Sequence, residues 1–292
     1  PQCYLIAEIG VNHNGELSLA KEMIDAARES GADAVKFQTF RADKLVSLGT
    51  PKVKYQESTT SPIESHYEMI KCLELSRDDH FILKEYCDSK SIDFLSTPYD
   101  VESARFLYED LKVEIFKTAS ADLVDLILHE YIATTGIPSI VSVGMATLGE
   151  IEENFNVYKS HNHLDIILLH CVSNYPCDIQ SINLRVLETL KQAFDLPVGY
   201  SDHSAGIEAA ILSISLGAKV IEKHFTLDKN LQGPDHLASS TPDEFKLLCS
   251  SVRKSEKILG SSVKSCQEEE KQMAKVSRKS IFLKNDLICG DV

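Results

Sequence analysis

Two stretches in the last third of the chain carry residue types that hold divalent ions. Gly199-Tyr200-Ser201-Asp202-His203-Ser204 closes one apolar run, and Glu222-Lys223-His224-Phe225 closes another. In neighbouring parallel strands, about 4.8 Å apart, His203 and His224 would converge. Two neutral imidazoles with water or carboxylate oxygens suit Mn²⁺, Zn²⁺ or Co²⁺, and Asp202 or Glu222 could orient an imidazole from behind. Ser201, Asp202 and His203 do not read as a nucleophilic triad, because residues adjacent in a strand-end turn cannot form that relay. Lys36 and Lys117 end two other apolar runs, where an ammonium group is costly unless it meets negative charge. Two such lysines facing one cavity would draw in a small anion with phosphate or carboxylate groups. The structural alternative is an internal pair with Glu8 or Glu222, and a lone lysine could also form a Schiff base. Glu8 shares a strand face with Tyr4 and Ile6 and precedes Gly10-Val11-Asn12-His13-Asn14-Gly15, which marks it as a site carboxylate rather than a structural one. Gln38 lies on the face of Lys36. His13 and His170 read as hydrogen-bonded scaffold. No P-loop or dinucleotide fingerprint supports ATP or NAD.

These residues need a frame that brings strand ends together. Short apolar runs occur at 4–9, 34–38, 94–97, 115–118, 139–143, 166–170, 198–201 and 220–224, each followed by a helix-compatible segment. That alternation predicts parallel βαβ units, and their number and spacing predict an α/β fold of the (β/α)₈ TIM-barrel type over residues 1–260. In such a barrel the polar residues at the C-terminal ends of the strands face the substrate. Ala20, Met23, Ile24 and Ala27 share one helix face, with Gly31 as the stop; Ile207, Ala210, Ile211 and Ile214 repeat the pattern before Gly217. Thr147–Glu150 and Thr241–Glu244 have capping-box spacing. Residues 41–75 form a long polar insertion of the kind used as a lid or interface. Residues 261–280 read as a solvated connector, and a further domain begins at 281–292.

Composition narrows the partners. Of 292 residues, 30 are Lys or Arg and 44 are Asp or Glu, a net charge of −14 that argues against nucleic acid or an anionic membrane surface. No apolar run approaches the ~18 residues of a membrane span, and the start does not read as a signal peptide. Eight scattered cysteines without a C-x-x-C predict reduced thiols in a cytoplasmic protein and no structural zinc.

Nine ordered motifs resemble the sialic acid synthase family, the N-acetylneuraminate synthases and their bacterial relatives. They are IAEIGVNHNG from Ile6, VKFQTF from Val35, STPYD from Ser96, FKTAS from Phe116, SVGMAT from Ser142, LLHCVSNYP from Leu168, GYSDHS from Gly199, EKHFTLD from Glu222 and GPDHLAS from Gly233. The resemblance covers about residues 4–260. It implies condensation of phosphoenolpyruvate with the open-chain aldehyde of an N-acetylmannosamine-type sugar, giving a nine-carbon 2-keto acid and phosphate. His203 and His224 would hold the divalent metal, commonly Mn²⁺. Lys36, Thr97, Lys117, Ser120, Ser142, Ser173 and Ser201 match the phosphoenolpyruvate pocket. Tyr175 and Asp235 match positions that hold the sugar, and Asp122 stands where some members have Glu there. Gln38 is counted with the substrate-binding residues, and Glu8 matches the catalytic carboxylate. The resemblance also implies a homodimer with a C-terminal antifreeze-like (SAF) domain, of which 281–292 would be the truncated start. That domain would lend an arginine to the partner's sugar site. The GPDH motif leans towards the sialic or legionaminic side of the family, the latter using a diacetamido-trideoxy hexose. A Schiff-base aldolase on Lys117 and a non-catalytic barrel that binds a sugar acid are the readings from other classes.

Overall fold

Alternation along the first strand sets the layers of the molecule. In the structure, a computed structural model that describes residues 2–52, 60, 64–282, 284, 286 and 288–290, strand β1 runs Tyr4–Gly10. Leu5, Ala7 and Ile9 join the large core between strands and helices. Ile6 points the other way and packs with Ala34, Leu95, Ile140, Leu169 and Val220 inside the ring. The other strands are β2 Ala34–Thr39, β3 Asp93–Pro98, β4 Phe116–Thr118, β5 Ser139–Ser142, β6 Ile166–His170, β7 Val198–Asp202 and β8 Val220–His224. All recorded ladders are parallel, in the order β3-β2-β1-β8-β7-β6-β5-β4. The TIM barrel expected from the eight apolar runs is therefore present, and its interior is filled, so the polar side chains sit above a dry apolar layer.

Helix punctuation follows the sequence closely. Ala20, Met23, Ile24 and Ala27 are fully buried on the helix Leu17–Ser30, and Gly31 ends it in the left-handed region at φ 96°. Thr147 and Glu150 close both halves of a capping box on Leu148–Ser160. At Pro242–Leu259, Thr241 N–H donates to Glu244 at 2.9 Å. The helix Glu208–Ser215 departs from expectation: its buried face is Ala209, Ala210, Ser213 and Ile214, while Ile207 and Ile211 are half-buried. Small residues approach the strands more closely there than the larger side chains can.

The 41–75 insertion is partly ordered as two short helices, Ala42–Leu45 and His66–Cys72; residues 53–59 and 61–63 lie outside the described set. The chain divides into Pro1–Ile258 and Leu259–Val292. Within the second unit, residues 261–280 are exposed except for the half-buried Ala274 and include a short helix at Lys271–Ser277. The antifreeze-like start read at 281–292 falls partly on residues outside the described set (283, 285, 287, 291 and 292). Among the described residues no helix is long and apolar enough to cross a membrane.

Candidate active site

At the C-terminal rim of the strands a cavity of about 720 Å³ opens over the filled interior. Its floor is charged. Glu8, Lys36, Lys117 and Glu222 project into it from β1, β2, β4 and β8, each 5% exposed or less. Lys36 Nζ lies 2.7 Å from Glu8 Oε2 and 3.8 Å from Glu222 Oε2. Lys117 Nζ lies 3.5 Å from Glu222 Oε1. The internal Lys–Glu pairs weighed as the structural alternative thus exist, yet all four groups line the cavity.

Hydrogen bonds fix this layer through the strand register. Lys36 Nζ donates to Thr97 Oγ1 at 2.8 Å, and Lys117 Nζ to Ser142 Oγ at 2.7 Å. Ser201 Oγ donates to Glu222 Oε1 at 2.9 Å. Gln38 Nε2 donates to Glu8 Oε1 at 3.2 Å, across a register break at Glu8–Gly10. A Cβ on Gly10 would sit 3.1 Å from Glu8 Oε1 and 3.3 Å from Gln38 Nε2, so the glycine bulge is what lets the carboxylate and amide meet.

The two carboxylates are driven apart. Burial raises the Glu8 carboxyl above its ordinary range, more than nearby Lys36 lowers it, and Glu222 adds to the rise. Burial acts on Glu222 too, but Lys117 and Lys36 outweigh it and hold that carboxyl low. Burial also lowers the Lys117 ammonium against the pull of Glu222, so the floor sets two lysines against one firmly ionised carboxylate and one drawn towards neutrality. Opposed titrations of this kind mark acid–base assignments in a site.

On the β7–β8 side, the ring centroids of His203 and His224 are 5.6 Å apart, as the adjacency argument required. His203 Nδ1 lies 2.8 Å from the Val172 carbonyl. A carbonyl only accepts, so Nδ1 carries the proton and Nε2 keeps its lone pair. Nε2 stands 3.3 Å from Ser201 Oγ, whose proton is already given to Glu222. His224 Nδ1 is buried without a partner. Burial lowers both imidazoles, His224 strongly, so both are neutral at pH 7. Neither imidazole is oriented by Asp202 or Glu222, as the sequence had suggested; a backbone carbonyl does it for His203. Asp202 faces the helices and bonds Lys223, which also removes the triad.

Two neutral imidazoles with unused lone pairs fit a divalent ion. Among the described residues no group of three or more His, Cys, Asp or Glu could hold one, so these two would need oxygens from substrate or water, the open coordination of a catalytic site.

The remaining predicted residues divide. Ser120, Ser173, Tyr175 and Asp235 line the same cavity. Gly144 is the keystone of this corner: its N–H donates to Ser120 Oγ at 2.9 Å, and a Cβ there would lie within 2.8 Å of Ser173 Oγ, Cys171 Sγ and Ser120 Oγ. The Tyr175 ring lies 4.2 Å from that of His203. Asp235 is pushed up to about 6 by burial. Asp122 does not line the cavity; its Oδ2 is buried without a partner, and burial and Asp125 push it to about 7. His13 and His170 are scaffold, accepting from Gly15 N–H and facing the Ile182 carbonyl respectively. Missed from the sequence were Cys171, Gly144 and an apolar rim of Phe40, Leu45, Val46, Ile70 and Leu73. Part of that rim comes from the insertion, whose hydrophobic spacing is too short to signal a shared face.

A (β/α)₈ barrel with a buried lysine–glutamate floor under a paired-imidazole rim has the layout of an enzyme active site. The chain belongs to the NeuB family, whose profile matches residues 23–264. It is 46% identical over 292 residues to the N,N'-diacetyllegionaminic acid synthase of Legionella pneumophila, covering 99% of this chain and 82% of the relative. It is 44% identical over 290 residues to the same-named enzyme of Campylobacter jejuni, covering 99% and 86%. A crystal structure of N-acetylneuraminic acid (sialic acid) synthetase from Leptospira borgpetersenii, in complex with citrate, superposes with a TM-score of 0.84 at 36% identity, covering 94% of this chain and 91% of that one.

Proposed function

We propose that this chain condenses phosphoenolpyruvate with an N-acetylmannosamine-type aldose to give a nine-carbon 2-keto sugar acid and phosphate. The observation that carries this reading is the convergence of Glu8, Lys36, Lys117 and Glu222 below two neutral imidazoles at one rim. Lys36 and Lys117, with Thr97, Ser120, Ser142, Ser173 and Ser201, bind the phosphate and carboxylate of phosphoenolpyruvate, where desolvated donors act strongly. His203 and His224 hold a divalent ion, most simply Mn²⁺, which supplies Lewis-acid polarisation of the aldehyde oxygen. C3 of the enol forms the new carbon–carbon bond to the aldehyde carbon. Water adds at C2, and phosphate leaves by C–O cleavage. Glu8, with its raised carboxyl, takes one proton from that water as it adds; the former aldehyde oxygen gains a proton to become the new hydroxyl, and the remaining water proton leaves with phosphate when the C2 hydroxyl becomes the keto group. Tyr175, Asp235 and Gln38 orient the sugar; Asp122 reaches it only through a rearrangement of the Ser120–Asp122 turn.

A second acceptor is favoured by one observation. The apolar rim of Phe40, Leu45, Val46, Ile70 and Leu73 suits methyl groups remote from the aldehyde, as in a diacetamido-trideoxy hexose of the legionaminic type, and the names of the two relatives above agree. A phosphate-release assay on the full-length enzyme with Mn²⁺ tests both acceptors. Release with N-acetylmannosamine or its 2,4-diacetamido-2,4,6-trideoxy analogue supports the condensation, and the ratio of kcat/KM values decides between them. No release with either, or a borohydride-trapped adduct on Lys117, refutes it. The same reading expects a cytoplasmic homodimer whose partner lends an arginine from its antifreeze-like domain; sedimentation of the full-length protein tests the assembly.

A further inference from the structure

The last rung of the β7–β8 ladder pairs Asp202 with Lys223, one residue before each imidazole. Both side chains point to the helix side, away from the cavity, and are 1% and 3% exposed. Lys223 Nζ donates to Asp202 Oδ2 and to the Ser204 carbonyl, each at 2.8 Å. Asp202 Oδ1 accepts from Ser204 N–H at 2.9 Å, Ser204 Oγ at 2.6 Å and Tyr200 Oη at 3.3 Å.

A buried ion pair is a poor way to gain stability, because apolar residues of similar volume often serve as well. Its location gives it another use. β7 ends at Asp202, so His203 lies beyond the β7–β8 ladder and its backbone is held only by an isolated parallel bridge between Cys177 and Ser204. The Asp202 carboxylate and the Lys223 ammonium grip Ser204, the next residue, from both its N–H and its carbonyl. His203 is then tied outward to the loop after β6: its carbonyl accepts from Cys177 N–H at 2.8 Å, and its ring reaches the Val172 carbonyl. That loop carries Ser173 and Tyr175.

We propose that the buried Asp202–Lys223 pair is a positioning device that sets the spacing of the His203 and His224 imidazoles and, through His203, the wall carrying Ser173 and Tyr175. This rests on the reading that the imidazoles hold a divalent ion. The test uses full-length protein carrying Asp202→Asn or Lys223→Met, with the double variant Asp202→Asn/Lys223→Gln as the form that leaves no unpaired buried charge. For variants with a wild-type circular dichroism spectrum, calorimetry is expected to show Mn²⁺ binding about 10- to 100-fold weaker, the usual effect of losing support behind a ligand. The visible absorption of the Co²⁺-loaded protein should shift, and the KM for the sugar should rise more than that for phosphoenolpyruvate, which this wall touches only through Ser173. A folded variant, single or double, with wild-type Mn²⁺ affinity and an unchanged Co²⁺ spectrum overturns the proposal. If wild-type protein itself binds no Mn²⁺ or Co²⁺, the metal reading fails first and takes this inference with it.

Discussion

The end of β8 carries two lysine-containing charge systems that face opposite ways and are built differently. On the helix side, every oxygen of Asp202 has a donor, and Lys223 reaches two acceptors. On the cavity side, Glu8 Oε2 has only its 2.7 Å ion pair with Lys36, Glu222 Oε2 lies 3.8 Å from Lys36 with no hydrogen-bond donor, and His224 Nδ1 has no partner. One system is closed and the other under-coordinated. A buried polar atom without a partner costs about 1–3 kcal/mol, so the cavity side holds unspent capacity that a ligand can satisfy. Burial alone does not separate framework from site; completeness of coordination does.

The comparison can be broken at the imidazoles. His203→Ala removes one of two ligating rings without touching the closed pair, and activity in a phosphate-release assay should fall about 10³-fold or more with the thermal transition little changed. Normal turnover by that variant in metal-stripped buffer would remove the metal from the cavity side altogether. Next in size is Lys117→Met. Loss of a charge-assisted contact of about 2–4 kcal/mol should weaken phosphoenolpyruvate binding about 30- to 1000-fold. Calorimetric titration should show sugar binding far less affected; an equal loss for both ligands would mean that the ammonium serves the fold, as Lys223 does.

Glu8→Gln sharpens the contrast between the carboxylates. Because the Glu8 carboxyl is raised in the folded protein, the wild-type pH–rate profile should carry a limb above the ordinary carboxylate range, rising as Glu8 ionises. The glutamine variant should lose about 10²-fold in kcat and that limb with it. A limb that survives belongs to another group. The smallest effect is expected outside the cavity, at Asp122. A folded-state carboxyl pushed up to about 7 binds its proton more tightly than in the unfolded chain, so it favours folding at low pH and opposes it as pH rises from about 4 to 7. Asp122→Asn should therefore raise stability by about 1 kcal/mol at pH 7, discounted for partial exposure, and by nothing near pH 4. Chemical denaturation at the two pH values measures the difference.

Much of this was legible in the sequence because alternation is local. Ile6 and Glu8 sharing a face, Lys36 and Gln38 sharing another, and the stops at Gly31 and the Thr147 cap all follow from period-2 and period-3.6 spacing, and the structure repeats them. The failures are contacts between segments far apart in the chain. Asp202 was a candidate for holding an imidazole, but its face is fixed by the strand while its partner is fixed by β8, and the pair turns outward. Asp122 follows Ser120 by two residues, yet the turn at Ser120–Asp122 puts Ser120 on the cavity wall and Asp122 off it.

The sequence by itself determined the barrel, the strand-end positions of Glu8, Lys36, Lys117, His203 and His224, and the sign of the charge that must be overcome, since each depends on spacing and composition alone. Tertiary structure decided which carboxylate rises and which falls. Both are buried glutamates at strand ends, and only the placement of Lys36 between them and Lys117 beside Glu222 breaks their equivalence. Distances of a few ångströms in a desolvated site set that outcome, and linear spacing does not encode them.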